Sequence, residues 1–289
     1  MRISESELII NADGSAFHIH IKPEQLSDNI ILVGDPGRVA MVSNFFQEIE
    51  CEGASREFVW ATGLYNGKRV TCLSTGIGTD NIDIVMTELD ALANIDFSTR
   101  EVRDVRKSLN VLRIGTCGAI QPEIPIGAYI FSHISIGCDG LMNWYEGRDG
   151  ICLTDFEEAF KKHVGWNGHL PDPYFVRAGE DMVRRFEDCT VKGMTVSAPG
   201  FYGPQGRVVR QGLAMPDMLE SFESFEYGGY KITNFEMESS ALAGMALKLG
   251  HNAGTVCCAI AHRYHKSANT DYKPLVAELV RLSLDRLTD

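Results

Sequence analysis

Four short clusters of charged or amide-bearing residues stand at the ends of apolar runs, three of them containing glycine. The first is Gly34-Asp35-Pro36-Gly37-Arg38, directly after the apolar residues 30 to 33. A strand that ends in a Gly/Pro turn exposes backbone N–H groups, and the arginine adds a planar charged fork. Those are the parts of an anion cradle. They also fit an ordinary turn with a solvent-exposed arginine. The second cluster, Leu112-Arg113-Ile114-Gly115-Thr116-Cys117-Gly118, places an arginine inside an apolar strand. A buried guanidinium is costly unless paired, so Arg113 needs an internal carboxylate or a bound anion. Thr116 adds a hydroxyl at the strand end, and the glycines permit close backbone approach.

The third cluster is Asn234-Phe235-Glu236-Met237-Glu238-Ser239. Glu236 and Glu238 emerge from a strand just before an Ala-rich helix. Carboxylates there can accept hydrogen bonds from vicinal hydroxyls, as on a sugar, or favour the helix N-terminus. The fourth is Gly200-Phe201-Tyr202-Gly203-Pro204-Gln205-Gly206-Arg207. Gln205 offers an acceptor and donors on one amide, while Arg207 only donates. Together they complement the O2, N3–H and O4 edge of a uracil ring, with Phe201 available to stack on its face. A Gly/Pro-rich surface loop has the same composition.

The elements that must carry these clusters follow from periodicity. Buried strands are expected at 30–34, 70–78, 111–118, 127–137, 194–198, 232–235 and 254–260, where short β-branched runs end in small residues. Helical spacing is expected at 82–92, 156–163, 180–186, 239–249 and 274–287, the last with Pro274 near its start. Alternating strands and helices imply a layered α/β fold with a mixed or parallel sheet. Residues 143 to 174 are rich in Gly, Pro, Asp and aromatics and are expected to form an irregular excursion. Residues 96 to 109 are polar and are expected to be solvated. Neither break has the composition of a linker, so residues 1–289 are taken as one domain.

Composition bounds the function. The chain has 289 residues, with 44% hydrophobic and 23% charged, ordinary for a globular protein. Lys+Arg is 27 and Asp+Glu 39, a formal net charge of −12. Phosphate backbones select basic faces, so a nucleic-acid partner is not expected. A few arginines converging in one pocket can still bind a small anion. Membrane association is not expected, because no apolar run approaches the roughly 18 residues of a membrane span. The eight cysteines form no C-x-x-C pair and read as reduced thiols of a cytoplasmic protein. The eight histidines make no metal motif, so no metal centre is expected.

Taken in this order, the clusters resemble the nucleoside phosphorylase superfamily. The carriers are the Gly34–Arg38 turn, Ser55-Arg56-Glu57-Phe58, Ser74-Thr75-Gly76-Ile77-Gly78, residues 112–119 and residues 235–239. The Phe201-Tyr202-x-x-Gln205-x-Arg207 element is similar to the uridine phosphorylase branch. The resemblance covers residues 14–289, with 143–174 the variable part.

It implies a single-domain three-layer α/β/α sandwich with a distorted, partly closed mixed sheet. It implies phosphate binding by Gly34, Arg38, Arg113 and Thr116, with Arg56 supplied from a neighbouring subunit. Ribose would be held by Glu238 and Met237, with Glu236 as a second candidate and His18 reaching the 5′-hydroxyl across a dimer. Uracil would meet Phe201, Gln205 and Arg207, with Arg263 behind the pocket. Arg113, Thr116, Gln205 and Arg207 would carry the catalysis. The reaction implied is reversible phosphorolysis of uridine to uracil and ribose 1-phosphate. Inorganic phosphate is the co-substrate and no organic cofactor is required. Some members hold a monovalent cation, potassium, at the dimer interface near a residue equivalent to Glu57. Here Asn81 stands where a serine ligand is usual. The implied assembly is a homodimer as the minimal active unit, or a hexamer built from dimers. On this reading Arg113→Ala is expected to remove phosphorolysis and leave the fold intact.

Three rivals remain. A purine nucleoside phosphorylase of the same superfamily commonly places an Asp near the purine N7 after the last strand, but Ala261-His262-Arg263 stands there without a carboxylate. A nucleosidase has no reason to keep Arg38, Arg56 and Arg113. A non-catalytic nucleoside-binding or storage protein would be expected to have lost part of the site.

Overall fold

In a computed structural model, which describes residues 2–289, one twisted sheet organises the whole chain. From edge to edge its strands run Glu226–Tyr227, Tyr230–Glu236, Val191–Ser197, Tyr129–Gly137, Asn252–His262, Asn110–Ala119, Asn29–Val33, Lys68–Ser74, Phe58–Tyr65 and Glu48–Ser55. Strand Asn29–Val33 pairs in parallel with Lys68–Ser74 and with Asn110–Ala119, which pairs in parallel with Asn252–His262. The far strand Tyr230–Glu236 also returns to Asn110–Ala119, with Asn234 opposite Ala119 and Phe235 opposite Gly118. That pairing closes five strands into a ring, so the sheet is mixed and partly closed, as expected.

Helices cover both faces. Thr79–Asn94 and Ser239–Leu249 pack on one side around Leu73, Ile82, Met86, Leu242 and Met245. Gly37–Ser43, Glu180–Phe186 and Lys273–Thr288 cover the other around Val33, Met182, Leu279 and Leu284. Each buries an apolar stripe against a β-branched sheet face, which is what a layered α/β domain requires. All seven predicted strand regions and all five predicted helices are present. The eight cysteines are all free thiols, six of them buried.

Several elements lie outside the sequence expectations. Strand Glu48–Ser55 is an exposed edge with little apolar content, so it has no sequence signal. Phe58–Tyr65, Tyr174–Arg177 and the helices Gly37–Ser43 and Met218–Glu223 are others. The 143–174 excursion is less irregular than its composition suggests. It holds helix Thr154–Val164, whose Phe156 and Phe160 are buried beside Phe175 and Phe225. Residues 101–108 are exposed, with only a short antiparallel pair joining 95–96 to 101–102. No helix among the described residues is long and apolar enough to cross a membrane.

Candidate active site

The carboxyl ends of the parallel strands Asn29–Val33 and Asn110–Ala119 open into a cavity of about 660 Å³. It is a usual place for a ligand in an open α/β sheet, because helices and loops leave a crevice there. The turn after Lys68–Ser74, the start of helix Ser239–Leu249 and the loop after Val191–Ser197 complete its wall. Gly34, Arg38, Arg113, Thr116, Phe201, Gln205, Arg207, Glu236, Met237 and Glu238 all line it. Residues from all four sequence clusters therefore meet in one space.

Arg113 is the centre of one end. Its guanidinium is buried, with Nη2 bonded to Glu238 Oε2 and Nη1 3.3 Å from Glu236 Oε2. Gly115 makes the room: a Cβ there would lie 2.4 Å from Arg113 Nη1. Burial opposes the charge on Arg113, but Glu238 and Glu236 outweigh it and hold the guanidinium protonated. One arginine serves two carboxylates, so burial still pushes the Glu238 carboxyl above its ordinary value, with Arg113 opposing. The internal partner that Arg113 required is thus found in the third cluster.

The two glutamates differ. Glu236 accepts hydrogen bonds from Ser197 Oγ (2.6 Å), Ser239 Oγ (2.8 Å) and the backbone N–H groups of Glu238 and Ser239. Most of its acceptor capacity is used at the start of helix Ser239–Leu249, beside its contacts with Ser197 and Arg113, so for Glu236 the helix-end reading holds in part. Glu238 accepts the N–H of Gly78 at 2.8 Å besides Arg113. Arg38 lines the cavity with no acidic partner among the described residues, beside the half-buried hydroxyl-bearing Thr116. A cationic side chain left unpaired beside a hydroxyl suits an incoming anion.

The other end is built from the loop. Gln205 closes the short 3₁₀ turn Gly203–Gln205 and is only 3% exposed. Gly206, at φ +70°, lets the chain reverse, and the Arg207 N–H returns to the Tyr202 carbonyl at 2.9 Å. Arg207 Nη1 donates to Gln205 Oε1 and to the Phe201 carbonyl, both at 2.6 Å. Its guanidinium lies 3.8 Å over the exposed Phe201 ring. Burial, with the Arg263 charge nearby, pushes Arg207 down to about 10. Arg263 stays behind the loop and donates from Nη2 to the Gln205 carbonyl at 3.0 Å. It supports the loop and does not line the cavity.

Arg56 and His18 also lie outside the cavity, and they lie together. The Arg56 guanidinium is 5.8 Å from the Phe17 ring centre, and the Phe17 and His18 rings are 4.7 Å apart. His18 Nδ1 is 2.6 Å from Glu88 Oε1, whose carboxylate also accepts the N–H groups of His18 and Ile19. Sequence reasoning missed Glu88, and also missed Ser197 and Gly78 as partners of the glutamates. These contacts join residues 39 to 160 positions apart, and the periodicity of one segment holds no record of them.

Comparison with known proteins bears on the family and the fold. A family model described as the phosphorylase superfamily matches residues 28–287. A uridine phosphorylase of Thermococcus kodakarensis is 28% identical over 280 residues, covering 93% of this chain and 87% of its own. A DeoD-type purine nucleoside phosphorylase of Bacillus thuringiensis is 25% identical over 272 residues, covering 93% of this chain and 97% of its own. The solved structure of a Trypanosoma brucei nucleoside phosphorylase, described as showing uridine phosphorylase activity, superposes with a TM-score of 0.89 at 29% identity. It covers 97% of this chain and 99% of its own. Matched from residue 28 to residue 287, with the cavity walls inside that span, the chain belongs to the phosphorylase superfamily of nucleoside phosphorylases.

Proposed function

We propose that the chain catalyses reversible phosphorolysis of uridine, giving uracil and ribose 1-phosphate. The observation that carries this reading is the base end of the cavity. Gln205 is buried with its Oε1 held by Arg207, and its amide N–H groups have no acceptor among the described residues. An amide and a guanidinium side by side match one N–H and two carbonyl oxygens of a uracil edge. Ile260 and Ala261, which also line the cavity, offer no carboxylate for a purine N7. Purine nucleoside phosphorylases are similar to the chain at lower identity, so inosine is the necessary control.

Charge dictates the mechanism. Phosphate enters between Gly34, Arg38 and Thr116 and meets Arg113, whose guanidinium turns from Glu238 toward the anion. Glu238 is then released to accept the ribose hydroxyls, with Met237 beside it. As the glycosidic bond lengthens, the sugar becomes oxocarbenium-like and the aligned phosphate attacks the anomeric carbon. Negative charge grows on the leaving uracil, where Arg207 and Gln205 hold it more strongly than in the ground state. No covalent enzyme intermediate is needed.

The clustering of Arg56, Phe17 and His18 away from their own cavity supports a shared site. In this reading each pocket takes Arg56 and His18 from a partner, so a homodimer is the smallest active unit. Arg56→Ala is expected to be inactive alone. Mixed with an inactive Arg113 variant and re-assembled, it should regain up to about a quarter of wild-type activity, because some pockets then draw only intact residues. Absence of any recovery in re-formed hetero-oligomers would mean that each chain completes its own pocket.

The direct test is release of uracil from uridine with and without inorganic phosphate, beside inosine and thymidine. Phosphate-dependent release from uridine with inosine untouched is the expected result. Cleavage of inosine would assign the base loop to purines. Release without phosphate would make the chain a hydrolase, and no turnover would favour a binding protein.

A further inference from the structure

Some members of the family that the sequence resembles hold a monovalent cation near the position of Glu57, and the residues at that position do not fit one. Asn81 Nδ2 donates to Glu57 Oε1 at 3.2 Å and to the Thr75 carbonyl at 2.8 Å. The two hydrogens of one amide thus satisfy the Glu57 carboxylate oxygen and the Thr75 carbonyl, and an amide nitrogen carrying both hydrogens is a donor, not a cation ligand. Turning the amide over would point Oδ1 at two acceptor oxygens, an arrangement that needs a cation between them.

The amide is also closely seated. Gly76 has φ +72°, and a Cβ there would lie 2.5 Å from Asn81 Nδ2 and 3.0 Å from Glu57 Cγ. The bare backbone of Gly76 is what lets amide and carboxylate meet. Glu57 has a second anchor, because its carbonyl accepts Ser74 Oγ at 2.6 Å. These two anchors hold the tight turn whose preceding residue, Arg56, is left-handed at φ 55°.

We propose that the Asn81 amide takes the place of a monovalent cation, tying Glu57 to the Thr75 carbonyl and so setting the Arg56 turn without one. Asn81 is therefore a positioning residue. Its effect on phosphate rests on the proposed role of Arg56, whereas its effect on thermal stability does not.

The test compares the full-length protein in potassium chloride and in tetramethylammonium chloride at equal ionic strength. Melting temperature and the KM for phosphate are read in both salts. The wild type is expected to give the same values in each. Asn81→Asp, nearly isosteric, replaces the donor by oxygen and recreates a cation site. Its melting temperature should be lower in tetramethylammonium and rise with potassium concentration, as for any ligand of the native state. Its KM for phosphate should be about tenfold higher without potassium, the scale of one lost hydrogen bond to a charged group. Asn81→Ala should show the raised KM, a smaller change in kcat, and no response to potassium.

A wild type whose melting temperature or phosphate KM responds to potassium overturns the proposal. So does an Asn81→Asp protein that behaves as wild type in both salts. If that variant does not fold, Asn81→Ala decides, since a wild-type phosphate KM in it also overturns the proposal. If the chain proves not to cleave uridine at all, the melting comparison still decides whether a cation is bound.

Discussion

Arg113→Ala is expected to lower folding stability by about 3–5 kcal/mol and to abolish phosphorolysis. The expectation from sequence, loss of activity with the fold intact, is revised because Arg113 is the shared partner of two buried glutamates. Removing it leaves Glu236 and Glu238 without their cation, and the mutual repulsion and desolvation then fall on the native state alone. In the variant the Glu238 carboxyl, already raised by burial, loses its opposing cation and should titrate further above its unfolded value of about 4.3. A carboxyl raised by folding favours the native state at low pH and opposes it at high pH. The stability deficit of the variant should therefore shrink as pH falls toward 4.3. Urea unfolding at several pH values measures this, beside uracil release. Adding Glu238→Gln should return part of the stability and none of the turnover. A variant as stable as wild type at neutral pH would mean that water, not Arg113, solvates the pair. Full turnover would remove Arg113 from the phosphate site.

Arg207→Ala is expected to reduce kcat/KM for uridine by about 10²- to 10³-fold, the usual scale for removing one donor from a developing anion. Gln205→Ala should cost less, about 1–3 kcal/mol, since it leaves the charge in place. The two are not independent. Arg207 holds Gln205 Oε1 and the Phe201 carbonyl, so removing it also frees the amide to turn. Their combined loss should fall short of the sum, which a double-mutant cycle measures. Arg207→Lys should recover little, because an ammonium cannot reproduce the planar fork or stack over Phe201. The discriminating comparison is uridine against any residual inosine activity. A fall limited to uridine assigns the pair to the base, and an equal fall for both assigns it to loop structure.

The sequence by itself determined most of the elements and the chemistry they carry. Apolar β-branched runs ending in glycine marked the central strands, since a strand buried on both faces shows a run and not an alternation. The four clusters were readable because each carries a local signature: a Gly/Pro turn followed by an arginine, an arginine in an apolar strand, two carboxylates at one helix start, and an amide and a guanidinium in a Gly/Pro loop. Edge strand Glu48–Ser55 was not readable, because its half-exposed surface leaves no apolar pattern.

Only the tertiary structure decided who pairs with whom. Ring closure through Phe235 opposite Gly118 brings Glu236 and Glu238 onto Arg113, more than a hundred residues away in the chain. That answered whether Arg113 is paired internally and showed that Glu236 binds the helix start whereas Glu238 accepts the Gly78 N–H. The fold also leaves Arg38 in the cavity wall and sets Arg56 and His18 outside it. Local sequence records the propensity and burial of a segment, whereas a contact between distant segments depends on strand register and sheet curvature, which the whole chain sets together.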